Sequence, residues 1–189
     1  MAVKTKAELA DKFSGASSLL YQSTKLTISE QGVISGLAPQ LDVPVKVDSL
    51  NFEQGEPDIE HYKVIGLAGD WVQSAEPGDI TLGFRVPTKH TDVLKMAFGN
   101  DAVQALTVAE GGDYSDYAGN GVVLKNKKVT GTWVIVNDAE DQLVILNNTS
   151  LYASVVLDSD AKGVIAVDFN GSIECDGSTP DIIFLKKTA

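Results

Sequence analysis

Gly78-Asp-Ile-Thr-Leu-Gly-Phe-Arg-Val-Pro-Thr-Lys-His-Thr-Asp-Val-Leu-Lys-Met-Ala-Phe-Gly99 contains the change of hydrophobic period that decides the fold. Ile80, Leu82, Phe84 and Val86 alternate with Thr81, Gly83 and Arg85, the pattern of a strand covered on one face. Pro87 ends the strand, because proline has no N–H to offer a ladder. Thr88 and Thr91 can each offer a hydroxyl to the unpaired amides of a helix start. Val93, Leu94, Ala97 and Phe98 then recur at helical spacing until Gly99 supplies a left-handed stop. The stretch therefore predicts a strand, a sharp turn and one short amphipathic helix over 89–98. In a chain patterned elsewhere as strands, that helix is expected to close one end or edge of an antiparallel β-sandwich.

The 189 residues, 43% of them hydrophobic, suffice for one ordinary core without covalent staples. Cys175 is the only cysteine, so there is no internal disulfide and no CxxC metal or redox motif, which fits folding in a reducing compartment. A net charge of −11 repels phosphates and argues against a nucleic-acid-binding surface. The first residues lack the apolar run of about 7–15 residues that a signal peptide needs, and no run of about 20 could span a bilayer. Synthesis in the cytoplasm, with no membrane partner, is the expectation.

Residues 1–24 have the character of an N-terminal arm, and 25–189 that of a single β-sandwich domain. Thr5 and Glu8 have capping-box spacing, and Leu9 and Phe13 share one helical face, predicting about two helical turns before Gly15. So short a helix is not stable alone, so the arm must dock, on its own domain or on a neighbouring copy. Strand patterning begins at Leu26 and Ile28 and returns at Val43, Val45 and Val47, where Pro44 marks an edge or a strand start. A turn at 53–58 leads into a strand from Ile59 to Ile65. Residues 103–108 fit helix or strand equally, and 111–121 have the composition of a long contact loop.

The C-terminal half is more regular. Val129–Val136, Gln142–Leu146 and Leu151–Leu157 predict three strands of an antiparallel meander, joined by Asn-Asp-Ala-Glu-Asp and Asn-Asn-Thr-Ser turns. From Gly163 to Asp176, Ile165, Val167, Phe169, Ile173 and Cys175 fall on one face. Ala166, Asp168, Asn170, Ser172, Glu174 and Asp176 fall on the other. The second face is wet, acidic and short of bulky side chains. It suits an ordinary solvent-facing sheet surface or the wall of a larger barrel. Ile182–Lys186 closes the chain as a short strand.

The chain offers few groups for chemistry. His61 and His90 are separated by most of a domain and lack paired ligand spacing, so they are expected at the surface and at a helix cap. Asp158-Ser-Asp160-Ala-Lys162-Gly163 opens like a calcium loop, but Lys162 stands where an oxygen ligand is needed and Phe169 where a bidentate Glu belongs, which favours a plain turn. Phosphate-loop and nucleophile-elbow patterns are absent. Asn147-Asn148-Thr149 and Asn170-Gly171-Ser172 match the glycosylation pattern by chance in a chain made without a signal peptide. A non-enzymatic protein with no catalytic residue, no cofactor and no metal is expected.

Val-Pro-Val-Lys-Val-Asp-Ser-Leu (43–50), Gly-Glu-Pro-Asp-Ile-Glu-His-Tyr-Lys-Val (55–64) and the strand–turn–helix at 77–99 follow an N-terminal arm, and in this order they resemble the major tail tube proteins of tailed bacteriophages. The resemblance covers most of the chain as an order of elements, without a sharp motif. It implies a β-sandwich with one flanking helix, six copies per ring, and rings stacked into a virion tail tube after assembly in the host cytoplasm. Inner sheets would join around a lumen through which DNA passes during ejection without specific binding. Arms and loops would bridge subunits, rings and other tail proteins.

On that resemblance the lumen-facing positions are Asp168, Asn170, Ser172, Glu174 and Asp176, with Thr81 and Arg85 added from the strand at 80–86. An acidic or neutral wall suits a conduit, because basic side chains would pair with phosphates and gain counterion-release free energy. Arg85 opposes that logic unless it pairs with an acidic neighbour. Edge-to-edge assembly would also cover open strand edges. The alternatives are the tube of a contractile injection system, which differs mainly in cargo, and a capsid decoration or β-sandwich ligand-binding module.

Overall fold

The computed structural model describes Lys4 and residues 12–66, 68–70, 72–158 and 164–188. In chain order the strands are β1 (Ser18–Gln22), β2 (Thr27–Ile28), β3 (Ile34–Ser35), β4 (Leu41–Val43), β5 (Asn51–Gln54), β6 (Asp58–Tyr62), β7 (Val72–Glu76) and β8 (Ile80–Val86). Helix α1 (Thr91–Phe98) and a 3-10 turn (Asn100–Ala102) precede β9 (Val103–Thr107), β10 (Ala118–Val122), β11 (Lys128–Val136), β12 (Gln142–Asp158), β13 (Val164–Ile173) and β14 (Ile182–Lys186). The protein is mainly β, its paired strands run antiparallel, and α1 is the one α-helix among the described residues. The expected helix at residues 5–13, Trp71 and the calcium-like loop at 158–163 lie mostly or wholly outside the described residues.

The chain separates into two compact units, the first comprising Met1–Pro44, Thr130–Asn148 and Cys175–Ala189, the second Val45–Val129 and Thr149–Glu174. In the first, the sheet order is β4-β1-β11-β12-β14. Ser18–Gln22, expected within the arm, is strand β1 of that sheet, with Tyr21 opposite Trp133 and their rings 4.7 Å apart. Leu26, Val134 and Ile145 form a core into which Leu20, Ile34, Leu143, Ile183 and Leu185 pack. Buried polar side chains tie it together. Asn147 Oδ1 accepts from the Leu26 amide (3.0 Å) and the Thr132 hydroxyl (3.1 Å), and Gln22 reaches Thr24, Gly36 and Ala38. A buried carboxamide satisfied this way defines one arrangement of neighbours, since an unmet donor or acceptor there would cost about 1–3 kcal/mol.

The second unit has the sheet order β12-β13-β8-β5 and two hairpins, β6–β7 and β9–β10. β8 matches its sequence pattern: Leu82, Phe84 and Val86 are buried and Thr81 is exposed. Val93, Leu94, Met96, Ala97 and Phe98 are buried, and α1 packs on the 3-10 turn and the β9–β10 hairpin. His90, not a threonine, caps the helix, its Nδ1 accepting from the Asp92 amide at 3.3 Å. The Thr88 hydroxyl instead accepts from the His90 amide, and the Thr91 hydroxyl accepts from the Asn120 side chain. Gly99 ends α1 at φ 105°, with its N–H on the Lys95 carbonyl.

Three sequence expectations give way. Val43 is the last residue of β4, and Val47, expected on a buried face, is 80% exposed. After Pro44 the backbone turns at Asp48 (φ 63°), where the Ser49 hydroxyl donates to the Lys46 carbonyl. The Asn-Asn-Thr-Ser segment is no turn: β12 runs through it as one strand of 17 residues, with Asn148 alone in the left-handed region (φ 56°). Asparagine tolerates that conformation, so one residue adopts it without reversing the chain. Finally, the segment expected as a loop to Gly121 ends in strand β10, paired with β9, which settles 103–107 as strand.

Candidate functional site

Register places the expected site residues. Across β13 and β8, Asp168 faces Arg85, Asn170 faces Gly83, and Ser172 faces Thr81. Directly opposed residues of an antiparallel pair point to the same side of the sheet, so Asp168, Asn170, Ser172, Thr81 and Arg85 share one face. β5 extends the rows with Asn51 opposite Gly83 and Glu53 opposite Thr81, and β12 extends them with Ser154 opposite Asp168 and Tyr152 opposite Asn170. The opposite face of β13 and β8 is core, where Phe84 and Phe169 stack with ring centroids 5.0 Å apart. Asn51, Glu53, Tyr152 and Ser154 were not marked by any local signal, because only the pairing register brings them to these rows.

Two of the carboxylates expected on this face are matched by cations, while Glu53 on β5 adds a further acidic group. Arg85 Nε donates to Asp168 Oδ1 at 2.6 Å and a terminal guanidinium nitrogen to Oδ2 at 2.7 Å, a two-pronged pair that is mostly shielded from water. Arg85 therefore has the acidic neighbour that its position required. Glu174, one residue beyond β13, is paired with Lys128. Asp176 does not join the face. β13 ends at Ile173, and the Asp176 carboxylate accepts from the Ser178 and Thr179 amides (2.9 and 2.7 Å) and the Ser178 hydroxyl. Those bonds, led by the two amides, hold its pKa far below the ordinary carboxylate range. Ala166, expected on the wet face, is fully buried, while Ile165, expected in the core, is 50% exposed.

Above the face lies an open groove of about 750 Å³, lined by residues 46–49, Asn51, Thr81, Gly83, Arg85, Asp168 and Asn170. Its floor is low at Gly83, where a Cβ would come within 2.8 Å of Asn170 Oδ1. The 46–49 segment is fastened along it by Lys46 N–H to the Arg85 carbonyl (2.8 Å) and by the Arg85 amide to the Ser49 hydroxyl (3.1 Å). Carboxamides, hydroxyls, the Arg85–Asp168 pair and the charged residues Lys46 and Asp48 make the groove polar, with cationic and anionic residues equal in number in its lining. No protein-family model and no curated protein matches the chain. The two histidines lie away from these rows, His61 on β6 against Asp70 and His90 at the start of α1. Among the described residues no cluster of His, Cys, Asp or Glu could hold a metal ion, and no helix is long and apolar enough to cross a membrane.

Cys175, expected on the core face, is exposed. Its thiol is hydrogen-bonded to the Asp181 carboxylate, which together with desolvation raises its pKa above the ordinary thiol value. The thiolate is the reactive form, so its population at neutral pH is depressed. Alkylation by iodoacetamide at pH 8 is expected to be several-fold slower than for a free cysteine, and Asp181→Asn to accelerate it. Equal rates in the two proteins would remove the carboxylate from the explanation.

Proposed function

We propose that this chain is a structural, non-enzymatic subunit that self-associates into rings stacked as a tube of the phage tail-tube type, with DNA as the passing cargo. The observation that carries this reading is the β6–β7 hairpin. Every residue of both strands is exposed. An isolated two-stranded hairpin is marginal in water, yet this one also presents Ile59, Tyr62 and Val72, with Val64 and Ile65 in its connection. Exposed apolar groups concentrated on one fully exposed hairpin are the mark of a surface made to be covered. A repeating contact between non-identical surfaces of identical copies either closes into a ring or continues as a filament.

The pairing of cations with carboxylates along the face of β13, β8 and β5 supports the same reading. A polyanion gains affinity by releasing counterions to unpaired cations, and here Arg85 is matched by Asp168 and Lys128 by Glu174. In the assembled tube these rows line the conduit, the tube belongs to the virion tail, and other tail proteins meet its ends. Negative-stain imaging of concentrated protein tests the reading: rings or tubes are expected, and single particles at every concentration would overturn it. The groove of about 750 Å³ favours one other reading, a β-rich ligand-binding module. A concentration-independent monomer that binds a small polar ligand would select it.

A further inference from the structure

We propose that the tip of the β9–β10 hairpin is a docking surface for a polypeptide segment bearing arginine or lysine, received on the faces of two tyrosine rings. Tyr114 and Tyr117 lie in the connection between the strands and are 67% and 65% exposed. Their ring centroids are 5.8 Å apart and their planes meet at 62°, an edge-to-face contact that fixes the two rings against each other while both remain largely open to solvent. The arrangement is preformed. Val108 N–H reaches the Tyr117 carbonyl (3.2 Å), Ser115 N–H the Gly112 carbonyl (3.1 Å) and Tyr117 N–H the Tyr114 carbonyl (3.0 Å).

Leu106 and Val108, on one side of the chain by strand alternation, add exposed apolar surface at 50% and 45%. Tyrosine is the residue of choice for such a surface, since it offers a large rigid face with few rotamers to freeze. Charge identifies the occupant. Glu110, Asp113 and Asp116 flank the rings, and no Lys, Arg or His occurs between Ala102 and Leu124. Aromatic faces attract cations through the ring quadrupole, a guanidinium best of all because it also stacks, and nearby carboxylates add to that attraction. A phosphate backbone would be repelled at the same place. This docking goes beyond the tube reading and needs only a single copy of the chain.

The test is an NMR titration of the full chain with a blocked Gly-Arg-Gly-Arg-Gly-Arg peptide and with its citrulline counterpart, which keeps shape and loses charge. The arginine peptide is expected to shift the resonances of residues 106–117 selectively, and the citrulline peptide to leave them in place. Tyr114→Leu with Tyr117→Leu keeps the charge of the tip and is expected to weaken binding about tenfold. Asp113→Asn with Asp116→Asn, which keeps the rings, is expected to weaken it several-fold and to flatten its salt dependence. Spectra unchanged outside the tip certify that the variants fold. Shifts scattered over all acidic surfaces, or equal binding by the tyrosine variant, would overturn the proposal.

Discussion

Phe169→Ala is expected to destabilise the second unit by about 3–5 kcal/mol, the usual cost of emptying a buried phenylalanine site. Phe169 is fully buried at the centre of β13, opposite and stacked upon Phe84, and Val167 and Leu82 on the same strands are buried as well. The pleated backbone cannot collapse into the void, because β13 is held by ladders to β12 on one side and β8 on the other. Such a cost is a large part of the about 5–15 kcal/mol available to an ordinary domain. Urea denaturation followed by near-ultraviolet dichroism measures it, with Ser172→Ala from the polar face of the same strand as the control, expected within about 0.5 kcal/mol of the unmodified protein. Comparable losses in the two variants would mean that β13 does not separate a core face from a wet one.

Ile59→Asp combined with Ile65→Asp is expected to abolish assembly while leaving the fold intact. Ile65 is as exposed as a residue in an extended chain and Ile59 is nearly half exposed, so neither change should alter monomer stability by more than about 0.5 kcal/mol. In a covered interface the same two carboxylates would lose their water with no partner prepared for them, a penalty of several kcal/mol each. Size-exclusion chromatography and negative-stain imaging at one protein concentration compare the variant with the unmodified chain. Tubes formed equally by both would show that the β6–β7 hairpin is not the contact between copies.

The two hairpins differ in how far they could be read in advance. The β6 strand was announced by Ile59, Tyr62 and the Glu-Pro-Asp turn before it, whereas β10 is Ala-Gly-Asn-Gly-Val, a composition suited to loops, and becomes a strand only because β9 lies beside it. Asn148 shows the converse. Its neighbours have turn composition, yet pairing of Thr149 to Asp158 with β13 and of Gln142 to Leu146 with β14 continues the strand on both sides of it.

The candidate face divides the same way. Alternation alone put Asp168, Asn170 and Ser172 together, since side chains two apart on a strand always share a side. The partnership of Arg85 with Asp168, separated by 83 positions, depends on register. So does the pairing that offsets part of the acidity of the face.

From the residues alone follow the β-rich class, the buried faces of β8 and most of β13, and the helix from Thr91 to its Gly99 stop, because period and capping act between neighbours in the chain. Tertiary structure decided which strands lie side by side, where β12 and β13 end, and which cation answers which carboxylate. Those outcomes come from contacts between segments distant in sequence, and local periodicity carries no record of the register that makes them.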